Sequence, residues 1–161
     1  MQTWDADRAQ ARIQELVHLP GALLPILHAL QDDYGYIDAA AVPLIAGALN
    51  LSIADVHGVI SFYHDYRHSP PGQHVLRMCR AEACQSMGCE RVIDHVEQRL
   101  GVKLGQTTPD STLTLEAVYC LGNCALSPAV MLDGKPYGRV SEAVADSLID
   151  GVLRHSGVPR A

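Results

Sequence analysis

No stretch of the sequence approaches the roughly 18 uninterrupted apolar residues that a membrane-spanning helix needs, so we expect no direct membrane insertion. The first residues also lack the basic segment followed by an apolar segment that marks a secretory signal peptide. Basic side chains are in the minority, because 12 Lys and Arg face 18 Asp and Glu and leave a formal net charge of −6 at pH 7. A net acidic chain binds polyanions poorly, so we do not expect this protein to bind nucleic acid. The missing signal peptide makes the cytoplasm the expected location.

Several motifs of nucleotide and redox sites are absent as well. Without a Gly-x-Gly-x-x-Gly or Walker motif, the chain is not expected to bind NAD or ATP itself. Without a Cys-x-x-Cys pair, thioredoxin-type disulfide chemistry is not expected. The plant ferredoxin pattern, which places three cysteines in one short loop, does not occur either.

The sequence does contain enough apolar material for a folded core, since 48% of its 161 residues are hydrophobic. Prolines and a glycine at residues 70–72 cannot continue a helix, and the hydrophobic pattern changes after them. We therefore predict two domains, a helical bundle at residues 1–68 and an α/β domain at residues 73–161.

Apolar residues at a spacing near 3.6 predict helices in the first domain. These helices are expected at residues 5–17, 23–34 and 38–49, and from residue 52 onward. Thr3 is the predicted cap of the first helix, and Ser52 with Asp55 fits a capping box at the start of the fourth. The face of the fourth helix that we expect to be buried carries Ile53, Val56, Ile60 and Tyr63.

The second domain mixes strand and helix patterns. Strands are predicted at residues 74–78, 113–120, 129–132 and 135–140, and helices at residues 86–100 and from 141 onward. Asp133-Gly134 is a strong hairpin signal between the last two strands. The residues of the last helix expected to point inward are Val144, Leu148 and Val152. The order β-α-β-β-β-α indicates an α/β fold.

Five cysteines lie within a single window, at residues 79–124, and four of them form two pairs, Cys79-x4-Cys84 and Cys120-x3-Cys124. Each pair begins at the end of a predicted strand, so two parallel strands would bring the pairs together. Four thiolates suit a [2Fe-2S] cluster, because each tetrahedral iron takes two of them. Neither pair has a histidine between its cysteines. Because histidine ligation raises the potential of such a cluster, we expect a one-electron carrier of low potential, near roughly −400 mV.

The spacing of the cysteines leaves two questions open, the kind of metal site and the role of Cys89. Zinc also accepts four cysteines at such separations, which would make this a zinc-stabilised interaction module without a redox role. Cys89 stands four residues beyond Cys84, within or beside a predicted helix. We predict a packing role for Cys89, with ligation as the alternative.

The cysteine segments and two stretches of the first domain carry a family resemblance. Residues 79–84 and 120–128, together with 24–36 and 56–63, resemble the thioredoxin-like [2Fe-2S] family that includes the 24 kDa subunit of respiratory complex I. The resemblance implies an N-terminal helical bundle followed by a thioredoxin-like [2Fe-2S] ferredoxin domain. It implies one [2Fe-2S] cluster held by Cys79, Cys84, Cys120 and Cys124, and a partner subunit that binds FMN, NAD and a [4Fe-4S] cluster.

The first cysteine segment indicates which branch of the family to expect. Residues 78–88 depart from the complex I pattern, where Thr, Asn and Pro are usual, and look more like the gamma subunit of NAD-dependent molybdenum formate dehydrogenase. The expected function is therefore electron transfer between a partner's FMN and this cluster, in a complex with a molybdenum-containing catalytic subunit. The equivalent subunits of complex I and of NAD-linked hydrogenase are the alternatives, and the isolated chain is expected to be inactive.

A one-electron carrier must lie close to its partner's cofactor, so the cysteine segments are expected to face the flavin subunit. The candidate contact residues are Arg80, Glu82, Gln85, Met87, Asn123 and Leu126. Arg80 is also a candidate for offsetting the negative charge of the cluster.

Overall fold

The computed structural model describes residues 3–155; residues 1–2, and the predicted end of the second domain at 156–161, lie outside the described residues. The chain divides between Pro70 and Pro71 into two compact units. That each unit folds independently as a domain stays a prediction.

The first unit is helical, as expected. Its helices are α1 (Ala6–Leu16), α2 (Leu23–Tyr34), α3 (Ala41–Leu49) and α4 (Ile53–Phe62). The prediction of Thr3 as the cap of α1 was wrong, because the Asp5 side chain accepts the hydrogen bond from the Arg8 backbone N–H. The capping box of Ser52 and Asp55 at the start of α4 is confirmed, with both of its hydrogen bonds present.

The helices of the first unit enclose a core of aliphatic side chains. Its fully buried members include Ile13, Ile26, Leu27, Leu30, Ile45 and Val56. The predicted inward face of α4 is only half correct, since Val56 and Ile60 are buried whereas Ile53 and Tyr63 are exposed. Ile53 lies in the first turn, and Tyr63 has extended backbone beyond the last turn, so neither follows the face of the helix interior.

Within residues 3–155, no single helix is both long enough and apolar enough to cross a membrane. The helices α3 and α4 meet those criteria of length and composition only as a pair that is bent by 116°.

The second unit combines a sheet with helices. Its strands are β1 (His74–Cys79), β2 (Gln106–Thr107), β3 (Leu113–Val118), β4 (Val130–Leu132) and β5 (Lys135–Tyr137). Its helices are α5 (Glu82–Ser86), α6 (Cys89–Leu100) and α7 (Glu142–His155). The described strands form one sheet in the order β2-β3-β1-β4-β5, with β1 and β3 parallel and the other pairs antiparallel. The expected α/β fold is confirmed.

Three details of the second unit differ from expectation. The short strand β2 was not predicted, since two residues give no periodic signal. The helix predicted at 86–100 begins at Cys89, because Gly88 has a left-handed φ of 81° that separates α5 from α6. Val144 is exposed, and the inward residues of α7 are Ala145, Ile149 and Val152, so the buried face begins one residue later than predicted.

The core of the second unit lies between the sheet and its helices. It contains Leu76, Met78, Val92, Val96, Leu113, Leu115 and Ile149. Three of the five cysteines, Cys79, Cys84 and Cys89, are buried in the same core. The carboxyl ends of β1 and β3 thus position the cysteine segments at one edge of the sheet.

Candidate metal centre

The first cysteine of each pair lies at or just beyond the carboxyl end of one of two neighbouring parallel strands. Cys79 is the last residue of β1 and pairs in register with Val118, the last residue of β3. Cys120 follows two residues later, and the backbone N–H of Arg80 donates to the Val118 carbonyl. The convergence expected from the sequence is therefore present.

The two pairs differ in exposure. Cys79 and Cys84 are only 3% and 2% exposed, whereas Cys120 and Cys124 are open to solvent. Cys84 lies on α5, and Cys124 begins a 3-10 turn that ends at Leu126. One side of the site is thus sealed by the protein core and the other reaches the surface.

The spacing of the exposed pair suits one metal ion. The Sγ atoms of Cys120 and Cys124 lie 3.7 Å apart. Two thiolates bound at about 2.3 Å to one tetrahedral metal are separated by roughly 3.8 Å. This pair could therefore bind a single iron without rearrangement.

Ser127 connects the two cysteine segments. Its hydroxyl lies 3.6 Å from the Cys84 Sγ and donates to the Cys124 carbonyl at 2.7 Å. Ser127 is buried although it is polar, and these contacts satisfy it. Sequence reasoning missed this residue, since a single serine carries no spacing signal.

Hydrogen bonds stabilise the thiolate form of Cys79. Burial raises the pKa of Cys79, but hydrogen bonds from the Ala81 backbone N–H and the Cys84 side chain lower it. The backbone N–H groups of Cys120 and Leu121 lower it further, and the net result is a pKa below the ordinary value. Because a thiolate is the form that binds metal, the backbone around Cys120 favours the metal-binding form of Cys79, a candidate ligand.

The backbone at residues 120–122 has an unusual conformation that places an N–H group close to the Cys120 sulfur. Cys120 has a φ of 87°, which is unusual for a residue other than glycine, and Gly122 follows with a φ of 73°. The Gly122 N–H donates to the Cys120 Sγ at 3.4 Å. The small residue Gly122 thus allows a backbone N–H group to approach the sulfur of Cys120.

The pKa values of Cys124 and Cys89 are raised, for different reasons. The pKa of Cys124 is raised by its hydrogen bond with Cys120 and then by repulsion from the negative charge on Cys120. Burial raises the pKa of Cys89, and repulsion from Glu90 adds to it. Cys89 begins α6 within the core, and its packing role stays a prediction.

The donor set fits a two-iron cluster in the form of two pairs. Among the described residues, no three or more His, Cys, Asp or Glu side chains are grouped so as to hold a single metal ion. In a [2Fe-2S] cluster each iron takes two thiolates and sulfides separate the irons, so the thiolate pairs stand apart. Cys79 with Cys84, and Cys120 with Cys124, provide such pairs.

Exposed apolar side chains flank the cysteine segments. Met87 follows α5, Tyr119 precedes Cys120, and Leu126 closes the turn that begins at Cys124; all three are exposed. Tyr119 was not among the predicted contact residues, although it directly precedes a cysteine and is 73% exposed. Such side chains beside a metal centre indicate an interaction surface.

Arg80 is engaged within the chain. Its guanidinium lies 3.1 Å (Nε to Oε1) and 3.2 Å (Nη2 to Oε2) from the Glu90 carboxylate. That carboxylate raises the pKa of Arg80 and partly neutralises its charge. The suggested role of Arg80 in offsetting cluster charge is correspondingly reduced.

Comparison with known proteins identifies relatives along most of the chain. The family described as thioredoxin-like [2Fe-2S] ferredoxin matches residues 9–153. The chain is 38% identical over 119 residues to a subunit of the NADH-quinone oxidoreductase of Pseudomonas aeruginosa, covering 74% of this chain and 72% of the relative. It is 32% identical over 129 residues to the HndA subunit of the NADP-reducing hydrogenase of Solidesulfovibrio fructosivorans, covering 80% and 75%.

A solved structure has a similar fold over most of this chain. An NAD+-reducing [NiFe]-hydrogenase in the air-oxidized state superposes with a TM-score of 0.68 at 25% identity. The match covers 80% of this chain and 23% of the hydrogenase chain. This chain therefore corresponds to about a quarter of that hydrogenase chain.

Proposed function

The chain belongs to the thioredoxin-like [2Fe-2S] ferredoxin family, and from that membership we propose that it is the one-electron carrier subunit of an NAD-linked oxidoreductase complex. The proposed ligands of its single [2Fe-2S] cluster are Cys79, Cys84, Cys120 and Cys124. The observation that carries the proposal is the pairing of sulfurs at the ends of two parallel strands, with 3.7 Å between those of the exposed pair.

The contribution of this chain is to bind, bury and tune the cluster, which when bound takes up and gives back one electron at a time. The backbone N–H groups of Ala81, Cys120 and Leu121 stabilise negative charge on the Cys79 sulfur. The core around Cys79 and Cys84 keeps water from that pair. The exposed pair leaves a short route for an electron to a partner.

We propose NAD-dependent formate dehydrogenase as the parent complex. Residues 78–88 support this choice, because they resemble the gamma subunit of that enzyme more than the subunit of complex I. In this proposal a cytoplasmic partner subunit binds FMN, NAD and a [4Fe-4S] cluster, and passes electrons from a molybdenum-containing catalytic subunit.

A second candidate is the equivalent component of NADH:quinone oxidoreductase. It is favoured by the 38% identity to the Pseudomonas aeruginosa relative, which this chain covers over 72% of its length. Affinity purification from the native host separates the candidates. Co-purified molybdenum with formate-dependent NAD+ reduction supports the first, NADH-dependent quinone reduction supports the second, and hydrogen-dependent NAD+ reduction supports a hydrogenase.

The isolated chain is expected to contain about two irons and two acid-labile sulfides and to give a one-electron EPR signal on reduction. It is expected to oxidise neither formate nor NADH, because its sequence has no nucleotide-binding motif. Metal analysis, sulfide assay and EPR of the purified protein test this. A colourless protein with one zinc per chain would instead support the zinc-stabilised interaction module.

Charge reversal at Glu82 is expected to weaken assembly with the flavin subunit. Glu82 is exposed in the first turn of α5, between the proposed ligands Cys79 and Cys84. Since opposed like charges cost several kcal/mol at an interface, Glu82→Lys should raise the dissociation constant by roughly tenfold or more. Arg80 is a poorer choice, because its replacement also breaks the ion pair with Glu90.

The matched control is Lys135→Glu. Lys135 is exposed and lies beside the turn at Asp133, whose side chain accepts a hydrogen bond from the Val75 backbone N–H. This turn is at the opposite end of β1 from Cys79. Binding to the purified partner, measured by biolayer interferometry, should change for the Glu82 variant and not for the control, with equal visible spectra. Equal affinities for both variants and the wild-type chain would remove Glu82 from the interface.

A further inference from the structure

The segment at residues 138–140 lies directly against the 3-10 turn that carries Cys124. The Arg139 N–H donates to the Leu126 carbonyl, and the Val140 N–H donates to the Pro128 carbonyl at 2.9 Å. These bonds join two stretches of chain at closely spaced points. The turn thus has a backbone support on one side.

Gly138 is the point of closest approach. A Cβ atom at this position would lie 2.5 Å from the Leu126 Cβ, 2.9 Å from the Leu126 carbonyl oxygen and 3.0 Å from the Asn123 side-chain nitrogen. The φ of Gly138 is outside the left-handed region, so the requirement for glycine is space and not backbone conformation.

The obstacles at Leu126 cannot rotate away. A Cβ atom and a carbonyl oxygen are fixed to the main chain, and carbon atoms pack at about 3.5–4.0 Å. A methyl group at Gly138 therefore forces the two stretches apart by roughly 1 Å. The displacement has to be taken up by the backbone.

Cys124 must take part in that displacement. Asn123 and Leu126 flank it, and the turn is closed by hydrogen bonds from the Leu126 N–H to the Asn123 carbonyl at 3.0 Å and from the Ser127 N–H to the Cys124 carbonyl at 3.2 Å. Cys120 is positioned by a different contact, the hydrogen bond that the Gly122 N–H donates to the Cys120 sulfur. The shift hence changes the separation of the two sulfurs.

We propose that Gly138 is a positioning residue for Cys124: its lack of a side chain lets residues 138–140 support the turn at the place where the Cys124 sulfur pairs with that of Cys120. The inference rests on the proposed function, in which Cys124 is a cluster ligand. Metal–ligand distances are held within about 0.2 Å, so a shift several times larger weakens the bond between this chain and the metal.

The test compares Gly138→Ala with Gly151→Ala in the full-length chain. Gly151 lies on α7 in the same unit, and a Cβ there has no heavy atom within 4 Å. Gly138→Ala is expected to lose iron to a chelator on the order of tenfold faster, as replacement of residues that orient metal ligands commonly does. Its EPR g values should shift as well, while Gly151→Ala matches the wild-type chain in both.

A second substitution separates displacement of the turn from general loss of fold. Leu126→Gly removes the closest obstacle, the Cβ at 2.5 Å, and leaves the carbonyl oxygen at 2.9 Å. Adding Gly138→Ala to Leu126→Gly should therefore accelerate iron loss less than adding it to the wild-type chain. If Gly138→Ala alone fails to fold, a double variant that folds and binds iron supports displacement by the Leu126 contact, and a double variant that also fails to fold overturns it. An equal acceleration in both backgrounds, or none in the wild-type background, overturns the inference. Absence of iron from the wild-type chain and Gly151→Ala contradicts the proposed function instead.

Discussion

Serine at Cys120 or Cys124 is expected to reduce the iron content from about two per chain to nearly none. A hydroxyl is a harder and weaker ligand than a thiolate for iron in a sulfide cluster. The exposed pair offers the cleanest test, because neither side chain belongs to the core and the fold should survive. Visible absorption, iron and sulfide content, and circular dichroism of the purified variants provide the measurement.

Cys89→Ala is the control for the ligand variants. Cys89 is as buried as Cys79 and lies in the same core, so its loss costs about 1 kcal/mol of unfolding free energy without removing a proposed ligand. It should keep the visible spectrum of the wild-type chain. Bleaching in Cys89→Ala, together with a normal spectrum in any of the four proposed ligand variants, would show that the ligand set is wrong.

Deleting the helical unit is expected to leave the cluster in place and to abolish stable assembly with the flavin subunit. All proposed ligands and the core around them lie after Pro71, and the helical unit has a core of its own. The exposed Phe62 and Ile53 of the helical unit offer apolar surface for docking. The fragment should begin at Pro71, because the Gly72 N–H donates to the buried Thr114 hydroxyl at 2.6 Å.

Iron and sulfide content of the fragment, compared with those of the full-length chain, tests the first half of this prediction. Co-purification with the flavin subunit tests the second. A fragment that is insoluble and colourless would mean that the helices complete the fold of the cluster unit. A fragment that binds the partner as tightly as the full-length chain would mean that the helices have another role.

The sequence predicted those parts of the site that depend on local pattern. The hairpin at Asp133-Gly134 and the strand that ends at Cys79 follow from turn chemistry and alternation over a few residues, and both are present. The parallel pairing that unites the cysteine pairs was expected from fold logic and is also found.

The parts that could not be predicted depend on contacts between distant residues. The link from Ser127 to Cys84 spans 43 positions, and the fit of Gly138 against Leu126 appears only after the chain has folded. The short helix α5 around Cys84 has too few residues to show a period. Ile53 and Tyr63 were predicted to be buried but are exposed, because the spacing of apolar residues along a helix does not show where the core ends.

The unequal burial of the two cysteine pairs also bears on the lifetime of the cofactor. Among the described residues of the second unit, Cys79 and Cys84 are enclosed by the core, so small reagents such as dioxygen reach the proposed site from the side of Cys120 and Cys124. If the proposed partner covers that side, it would shield the cluster from oxidation as well as receive its electron. Subunit assembly and protection of the cofactor are then one event, and a surplus of this chain over its partner is the condition under which clusters are damaged.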